Sequence, residues 1–334
     1  MDRRREGAMI VMWGGFLLLV LSVLAVDLGV FNRRDHVPSG REAVAFTAVT
    51  IVLAFGFAVF IYVAYGAHWR GLGLTPDAIG GRPNDGHTAV VKFLTGYVVE
   101  LSLSMDNVFV IALIFRHLGV PAIYQHRVLF WGVLGALVMR GGMIAGGAAL
   151  VSRYHWVMYV FGVFLIVTSL RMLFAKAHDT PVEERWIVRW LNRHTRVTDR
   201  YHAQHFLVRI DGKSWITPLA VALILVETTD LLFAVDSIPA IFAITTDPFL
   251  VFTSNVFAIL CLRSLYFGLA GMIQQFRYLS VSLAVILGIV GVKMLVAGPV
   301  DRVLGDQQNV VMLATVLTVL VAGAVASAVA DRRS

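Results

Sequence analysis

Three long stretches without a charged residue limit the fold more than any other feature of the chain. They cover residues 7–26, 43–67 and 309–330, so each contains at least 20 residues. A helix of about 20 apolar residues crosses the hydrocarbon core of a bilayer. Because backbone groups in lipid must be hydrogen-bonded within the protein, each stretch predicts a membrane-spanning helix.

The composition agrees with a membrane protein and excludes a soluble one. Of the 334 residues, 58 % are apolar or aromatic and only 15 % are charged, which is too few to cover a water-exposed surface. The net charge of +7 arises from basic residues in short loops, where they orient the chain rather than bind nucleic acid. The single cysteine, Cys261, excludes an internal disulfide.

Six further apolar segments, several of which carry charges, bring the predicted number of transmembrane helices to nine. These segments cover residues 92–115, 128–151, 154–173, 216–244, 249–272 and 278–297. The predicted fold class is therefore an all-α polytopic membrane protein, with the lipid bilayer as its surroundings.

Lysine and arginine are distributed unequally between the two sets of alternate loops. With span ends included, the C-terminus and the loops after spans 1, 3, 5 and 7 hold 17 of them, and the opposite side holds 9. Basic residues concentrate on the cytoplasmic side of membrane proteins. We therefore expect a multi-pass protein of the cell membrane, inner or plasma, with its N-terminus outside and its C-terminus inside.

The longest polar segment, residues 176–215, follows the fifth span. Arg185, Arg189 and Arg193 recur every four residues among tryptophans and aliphatic residues, which predicts a helix in the cytoplasmic headgroup layer. Residues 206–217 predict a hairpin around the two-residue turn Asp211-Gly212. The histidines of this segment, at positions 194, 202 and 205, fit solvated side chains better than metal ligands.

Acidic residues within two spans are the strongest functional signal. The third and sixth spans together contain five carboxylates: Glu100, Asp106, Glu227, Asp230 and Asp236. Each ionised carboxylate at the centre of a span costs at least about 2.5 kcal/mol. Arg140 and Arg263, in the fourth and seventh spans, can balance two of the five charges. The surplus favours a cation site over purely structural ion pairs.

Other oxygen-bearing side chains accompany the acids at helical spacing. Glu100, Ser104 and Asn107 fall on one stripe of the third span, and Asp230 and Ser237 fall on one stripe of the sixth. Carboxylate, amide and hydroxyl oxygens suit Mn²⁺, Mg²⁺ or Ca²⁺, and the sequence offers no Cys and His set of the kind that binds zinc or copper.

Two residues beside the acids refine this expectation. Pro239 has no backbone N–H, so the sixth span is expected to be interrupted beside Asp236, which would free a carbonyl oxygen as a ligand. Met105 offers a softer contact that would favour Mn²⁺ over Ca²⁺, although a methionine in a membrane helix also fits simple packing.

An internal repeat relates the spans that carry these residues. The Glu100 to Asn107 segment aligns with the Asp230 to Ser237 segment at an offset of 130 residues, and Arg140 aligns with Arg263 at an offset of 123. An odd number of crossings separates the third and sixth spans, so the two three-helix units run in opposite directions. This pattern predicts an inverted 3+3 helix repeat with a shared site near the midplane, typical of secondary transporters.

The domain organisation follows from this repeat. Two transmembrane helices occupy residues 1–91, and the two three-helix repeats occupy residues 92–175 and 216–298. The cytoplasmic loop with the interfacial helix and hairpin covers 176–215, and the last transmembrane helix with the C-terminal tail covers 299–334.

The acidic segments also carry a family resemblance. E-L-S-L-S-M-D-N at 100–107 and E-T-T-D-L-L-F-A-V-D-S-I-P-A at 227–240 resemble the two signature segments of the TerC family of bacterial integral membrane proteins, including its Alx-like members. D-L-G-V-F-N-R at 27–33 and L-R-S-L-Y-F at 262–267 also have counterparts, so the resemblance covers nearly the whole chain.

The resemblance implies manganese export, with links to tellurite resistance and to alkaline or redox stress. It also implies metal-binding roles for all five intramembrane carboxylates. Asp27 matches a further family aspartate, although a structural role at a helix end suits it equally well.

The leading hypothesis is a secondary transporter that exports a divalent cation, with Mn²⁺ as the leading candidate, and that needs no bound cofactor. Exchange for protons is chemically natural, and no nucleotide-binding loop exists to use ATP. An intramembrane protease is disfavoured, because no G-x-G-D segment is present and two aspartates do not account for five acids, so we do not expect an enzyme. The alternative is a non-transporting membrane scaffold in a tellurite or metal-stress resistance complex.

Overall fold

The computed structural model describes residues 2–31, 40–77, 79, 81–174, 186, 189–190, 193, 195–198, 200–269 and 278–331. Within these residues the chain forms the helices α1 (Asp2–Phe31), α2 (Gly40–Gly66), α3 (Gly86–Leu118), α4 (Ala122–Arg153), α5 (Trp156–Phe174), α6 (Pro218–Phe242), α7 (Pro248–Leu269), α8 (Leu279–Leu295), α9 (Ala297–Leu304) and α10 (Gln308–Asp331). Two strands, β1 (Leu207–Ile210) and β2 (Lys213–Ile216), lie between α5 and α6.

The helices have the length and composition of membrane spans. Among the described residues, the seven helices α2 to α7 and α10 are long and apolar enough to cross a bilayer. Two shorter apolar helices, at Ile10–Val26 and Ser280–Leu295, coincide with the predicted first and eighth spans. The protein is therefore an all-α polytopic membrane protein, as predicted.

Side-chain contacts fix the relative directions of neighbouring helices. Tyr65 near the end of α2 donates a hydrogen bond to Asp247 before α7, and Thr47 near the start of α2 bonds Ser264 near the end of α7, so these helices are antiparallel. In contrast, α4 and α6 are parallel, because Gly132 faces Val226 and Gly147 faces Phe242. Both relations are those expected from nine alternating crossings.

Helix packing crosses between the two predicted repeat units. The first unit consists of α3, α4 and α5 and the second of α6, α7 and α8. Helix α3 packs on α7, α4 packs on α6, and α5 packs on α8. An inverted repeat would relate α3 to α6, α4 to α7 and α5 to α8. It would therefore turn the α3–α7 contact into the α6–α4 contact and leave the α5–α8 contact unchanged. The inverted repeat stays a prediction, and this packing is what it requires.

Helix α7 is the central helix of the bundle. About 94 % of the residues in its most apolar 18-residue stretch are buried. The helix packs against α2, α3 and α4. Close approach to α3 depends on Gly96, since a Cβ at this position would lie 2.9 Å from Ser254 Oγ. Cys261 of α7 is fully buried and lies 2.9 Å from Thr50 Oγ1 of α2.

The predicted hairpin is confirmed. Strands β1 and β2 pair antiparallel, and Asp211 and Gly212 between them both adopt left-handed backbone angles, with φ of 51° and 74°. Positive φ at both turn positions matches the right-handed twist of the strands. Next along the chain, the Thr217 side chain caps α6 by accepting a hydrogen bond from the Ala220 N–H.

The predicted interfacial helix is described only in part. Trp186, Arg189, Trp190 and Arg193 are helical and exposed. Arg185 and His194 lie outside the described residues. His202 and His205 precede the hairpin, and no group of three or more His, Cys, Asp or Glu residues suited to a metal occurs in the described part of the chain.

The predicted interruption beside Asp236 is wrong. Helix α6 continues through Pro239 to Phe242, and Ala243 N–H donates to the Pro239 carbonyl. The proline lies only three residues before the end of the helix, so its missing N–H removes a single bond close to the terminus. Helix α3 is also continuous across Glu100 and Asp106. Side chains are therefore the main ligands that α3 and α6 can offer, together with the Val235 carbonyl, which receives no N–H from Pro239.

Candidate cation site in the membrane

A pair of antiparallel helices, α3 and α6, positions most of the predicted site. Asp85 caps the start of α3, where its carboxylate accepts a hydrogen bond of 2.8 Å from the Thr88 N–H, and Gly119 with φ of 63° caps the end of the helix. Asp230 lies at the middle of α6 and faces Asn107 of α3, which donates to it at 2.9 Å. Asn107, which belongs to the polar stripe predicted on α3, therefore faces Asp230, the acid that the predicted repeat aligns with Glu100.

Arg140 of α4 joins the two acidic helices. Its Nε donates to Asp230 Oδ2 at 3.1 Å and its Nη2 to Asp230 Oδ1 at 2.8 Å. Its Nη1 donates to Glu100 of α3. All three side chains are at most 9 % exposed. One guanidinium thus holds two carboxylates that lie 130 residues apart.

Sequence reasoning missed Asn255 of α7, which completes this cluster. Its Oδ1 accepts a hydrogen bond of 3.3 Å from Arg140 Nη1, and its side chain is fully buried. The run Thr253-Ser254-Asn255 is a signal that could have found it, because three consecutive polar residues are unusual in an apolar span. The cluster formed by Glu100, Asn107, Arg140, Asp230 and Asn255 is called the Arg140 cluster below.

Several buried oxygens around the Arg140 cluster have no hydrogen-bond partner among the described residues. They include Glu100 Oε2, Ser104 Oγ and Asn107 Oδ1 on α3, and Ser237 Oγ on α6. A cavity of about 20 Å³ borders Asp230 and is otherwise lined by apolar side chains of α3, α4, α6 and α7. This volume is about that of one water molecule. Among the described residues, no three acidic side chains are arranged as a metal-binding group, and Asp230 is the one polar residue that lines this cavity. The unpartnered oxygens, rather than the cavity, therefore indicate where a polar ligand or an ion would bind.

Glu227 lies one helical turn before Asp230 on α6. Its Oε2 is buried and has no hydrogen-bond partner among the described residues. The carboxylate packs directly against Gly135 of α4, so closely that a Cβ at this glycine would overlap it. A second negative charge therefore lies beside the Arg140 cluster.

The remaining two acids have other contacts. Asp106 Oδ1 accepts a hydrogen bond of 3.1 Å from Ser280 of α8, and Asp236 Oδ1 accepts one of 3.3 Å from Thr168 of α5. Each thus contacts the third helix of the opposite repeat unit. Both side chains are half-buried. Neither contacts Arg140.

The other predicted residues fall at known positions in the bundle. Arg263 is buried in α7, eight residues beyond Asn255, and Met105 of α3 is half-buried. Asp27 belongs to α1, and its side chain lies outside the described residues. Ser237 is buried on α6.

A second buried ion pair lies near the N-terminal end of α3. It was not predicted from the sequence. Lys92 Nζ contacts Asp77 Oδ2 at 2.8 Å and Asn84 Oδ1 at 2.7 Å. Asp77 also accepts hydrogen bonds from Thr245 and Thr246, which connect α6 to α7. Burial raises the pKa of the Asp77 carboxyl, but the Lys92 ammonium and the hydrogen bonds outweigh it, so its pKa lies below the ordinary value.

The chain is similar to known membrane proteins. The model of the integral membrane protein TerC family matches residues 85–334. "Uncharacterized membrane protein STKORF319" of Myxococcus xanthus is 45% identical over 283 residues, which are 85% of this chain and 82% of the relative. "Putative membrane-bound redox modulator Alx" of Photorhabdus laumondii is 41% identical over 316 residues, which are 93% of this chain and 95% of the relative.

An Escherichia coli K12 protein with the same Alx name is 45% identical over 287 residues, 86% of each chain. No solved structure matches the chain significantly. The family match begins at the cap of α3 and so contains both predicted repeat units, all five intramembrane carboxylates and both arginines. The chain belongs to the integral membrane protein TerC family.

Proposed function

We propose that this protein is a secondary transporter that moves a divalent cation out of the cytoplasm, with Mn²⁺ as the leading candidate. One observation carries the proposal. Glu100 and Asp230 are held together inside the bundle by a single arginine, with Glu227 and its unpartnered oxygen one turn away. Three carboxylates and one guanidinium leave an excess of two negative charges.

This excess favours a cation as the ligand. Ionised groups in a membrane interior require partners, because their desolvation is costly. A purely structural cluster would be expected to balance its charges, as Lys92 and Asp77 do in their own buried pair. A divalent cation would supply the two positive charges that the Arg140 cluster and Glu227 need.

The available donors favour a hard or borderline metal. The predicted ligands Glu100, Asn107, Glu227 and Asp230 offer only oxygen, and Asn255 adds an amide oxygen. Mg²⁺ and Mn²⁺ prefer six such oxygens in octahedral geometry. Asp106 and Asp236 are proposed as further ligands on the pathway, each beside a hydroxyl group of the opposite unit.

Direction and coupling rest on the family resemblance and on chemistry. Manganese export is what the resemblance implies, and protons are the proposed counter-ion, since they bind the carboxylate oxygens that a departing metal leaves. The predicted membrane orientation places the C-terminus on the side from which the metal departs. The competing hypothesis, a scaffold without transport, also fits a membrane protein that contains buried ion pairs.

Metal flux separates the two hypotheses. Cells loaded with excess manganese and then washed should lose it faster when they contain the wild-type protein than when they contain Glu100→Gln or Asp230→Asn. The control is Asp211→Asn, the same chemical change in the exposed hairpin turn, where asparagine tolerates the left-handed backbone. Equal manganese retention in cells with and without the wild-type protein, at matched membrane levels, would refute transport.

A further inference from the structure

We propose that the Arg140 guanidinium is a tethered stand-in for the transported cation. It holds Glu100 and Asp230 in the absence of cargo, and an arriving divalent ion displaces it onto Glu227. In this proposal Glu227 therefore pairs with the arginine and is not a direct ligand of the metal. This inference rests on the proposed transport function and assigns a moving part to it. A fixed balancing charge, which is the role that the sequence suggests for Arg140, requires no such movement.

Arg140 makes the contacts that a metal would need. Its three nitrogens donate to both oxygens of Asp230, to Glu100 and to Asn255 Oδ1. Each acceptor is an oxygen of a type that Mn²⁺ and Mg²⁺ bind. A guanidinium and a divalent ion cannot hold the same oxygens together, because cations a few ångströms apart repel strongly in a buried site. Binding of the metal and contact with Arg140 are therefore mutually exclusive.

The arginine leaves part of the surrounding oxygen set without a partner. Glu100 Oε2, Ser104 Oγ and Asn107 Oδ1 are buried and accept no hydrogen bond from any described residue. An unpaired buried polar atom costs stability. A guanidinium is planar and donates only along its edges, whereas a metal ion draws oxygens from all directions. The arginine thus leaves unused several oxygens that a metal ion could bind.

Glu227 is the acceptor to which the displaced guanidinium can move. It precedes Asp230 by three residues on the same face of α6, a rise of about 4.5 Å, which is within the reach of an arginine side chain. Its buried Oε2 has no partner among the described residues, and its carboxylate lies against α4, the helix that carries Arg140. The missing side chain of Gly135 provides the space for this contact.

Mn²⁺ binding to the purified full-length protein tests the first half of the proposal. If the Arg140 guanidinium occupies the cation site about nine-tenths of the time, removing it should lower the apparent Kd for Mn²⁺ about tenfold. Arg140→Gln should therefore bind Mn²⁺ about tenfold more tightly than the wild type, as measured by titration with Mn²⁺ alone. The control is Arg153→Gln, an exposed arginine at the end of the same helix, which should bind like the wild type.

Arg140→Lys keeps the experiment decisive if Arg140→Gln fails to fold. Lysine preserves the positive charge but cannot hold two carboxylates through a planar fork. It should compete less well, so Mn²⁺ binding should still be tighter than in the wild type. If both folded variants bind Mn²⁺ as weakly as the wild type, or more weakly, the stand-in role is overturned.

Glu227→Gln tests the second half. If Glu227 receives the displaced guanidinium, this change should weaken Mn²⁺ binding when Arg140 is present and have little effect in the Arg140→Gln background. Equal weakening in both backgrounds would make Glu227 a direct metal ligand and overturn the displacement step. A wild-type protein that binds no Mn²⁺ would instead overturn the proposed function itself, so the two failures are distinguishable.

Discussion

Arg140 and Asp230 form a two-pronged ion pair, in which two guanidinium nitrogens contact the two carboxylate oxygens at 3.1 and 2.8 Å. The residues belong to different predicted repeat units and are buried in the middle of parallel helices. Because an arginine fork fixes both distance and orientation, this pair sets the position of α4 against α6. Any ligand that binds Asp230 must therefore alter the contact between the two units.

Removing either carboxylate that Arg140 holds should abolish export. We expect Glu100→Gln and Asp230→Asn each to reduce manganese efflux at least about tenfold, and the double variant to cost little more than either single one. Residues that serve one ion act as a unit, so their losses do not multiply. Efflux that falls in the double variant to the product of the two single losses would indicate two independent sites.

Gly135→Ala should impair the protein, because the new Cβ would overlap the Glu227 carboxylate. The carboxylate is the far end of a flexible side chain and can shift, so we expect a stability loss of at most about 1 kcal/mol, together with weaker manganese tolerance because Glu227 is moved. The matched control is Gly142→Ala on the same helix, where a Cβ meets no atom within 4 Å. Alanine is the better helix former, so this control should be neutral or slightly stabilising. Thermal unfolding in detergent compares them, and similar losses in both would contradict the predicted overlap.

The Asp77 and Lys92 pair should make stability depend on acidity. The pKa of Asp77 is lowered in the fold, so its contribution is complete above the unfolded pKa of about 3.9 and is lost as the pH falls through the folded pKa. Asp77→Asn should cost about 3–5 kcal/mol at neutral pH, because it leaves the Lys92 charge buried without a partner, and should remove this acid dependence.

Lys92→Met should reverse the sign of this pH dependence. Burial is the leading influence on Asp77 once the ammonium is gone, so its pKa should rise above the ordinary value and stability should fall as the pH rises. Burial also raises the pKa of Asp247, and the Asp77 charge adds to that rise, so the comparison between variants reports on these two coupled carboxyls together. Unfolding temperatures measured from pH 3 to pH 7 check the prediction, and parallel curves for wild type and Lys92→Met would contradict it.

Single cysteines, introduced after Cys261 is replaced by serine, can test the predicted orientation. Gln307→Cys, in an exposed turn before α10, should react with a membrane-impermeant maleimide in intact cells, because this turn is predicted to lie outside. Arg200→Cys, an exposed position before the hairpin, should react only after the cells are broken. The reverse labelling pattern would invert the topology, and labelling of both positions in intact cells would contradict the predicted alternation of the loops.

Much of the fold was predictable because the signals were local. Apolar run length located the spans, and the turn residues Asp211 and Gly212 located the hairpin. The proline interruption failed because the effect of Pro239 depends on its distance from the end of the helix, and that end was not visible in the sequence. Helix ends in a membrane protein depend on loop contacts as well as on apolar length.

The site was predictable as a set of residues but not as a set of contacts. Helical spacing indicated that Glu100 and Asn107 share a face, and counting charges indicated that arginines meet acids. Spacing within one helix cannot determine which acid on another helix a given arginine meets. The choice of Asp230 rather than Asp236 for Arg140 depends on how α4 and α6 pack. Asp77 went unrecognised for the same reason, because its partners come from three separate segments.

The excess charge beside Arg140 has an electrical consequence. Glu100, Asp230, Glu227 and Arg140 together carry a formal charge of minus two, which a divalent cargo cancels. Moving the metal-loaded centre, which is neutral, through the membrane potential requires no electrical work. Return of the centre with no proton bound instead moves two negative charges against a negative interior, at about 2.3 kcal/mol per charge for each 100 mV, and the protons of the proposed exchange would remove this cost. The membrane potential should therefore slow the return step only where protons are too scarce to bind, and hyperpolarised cells at alkaline pH should export more slowly without weaker binding of cargo.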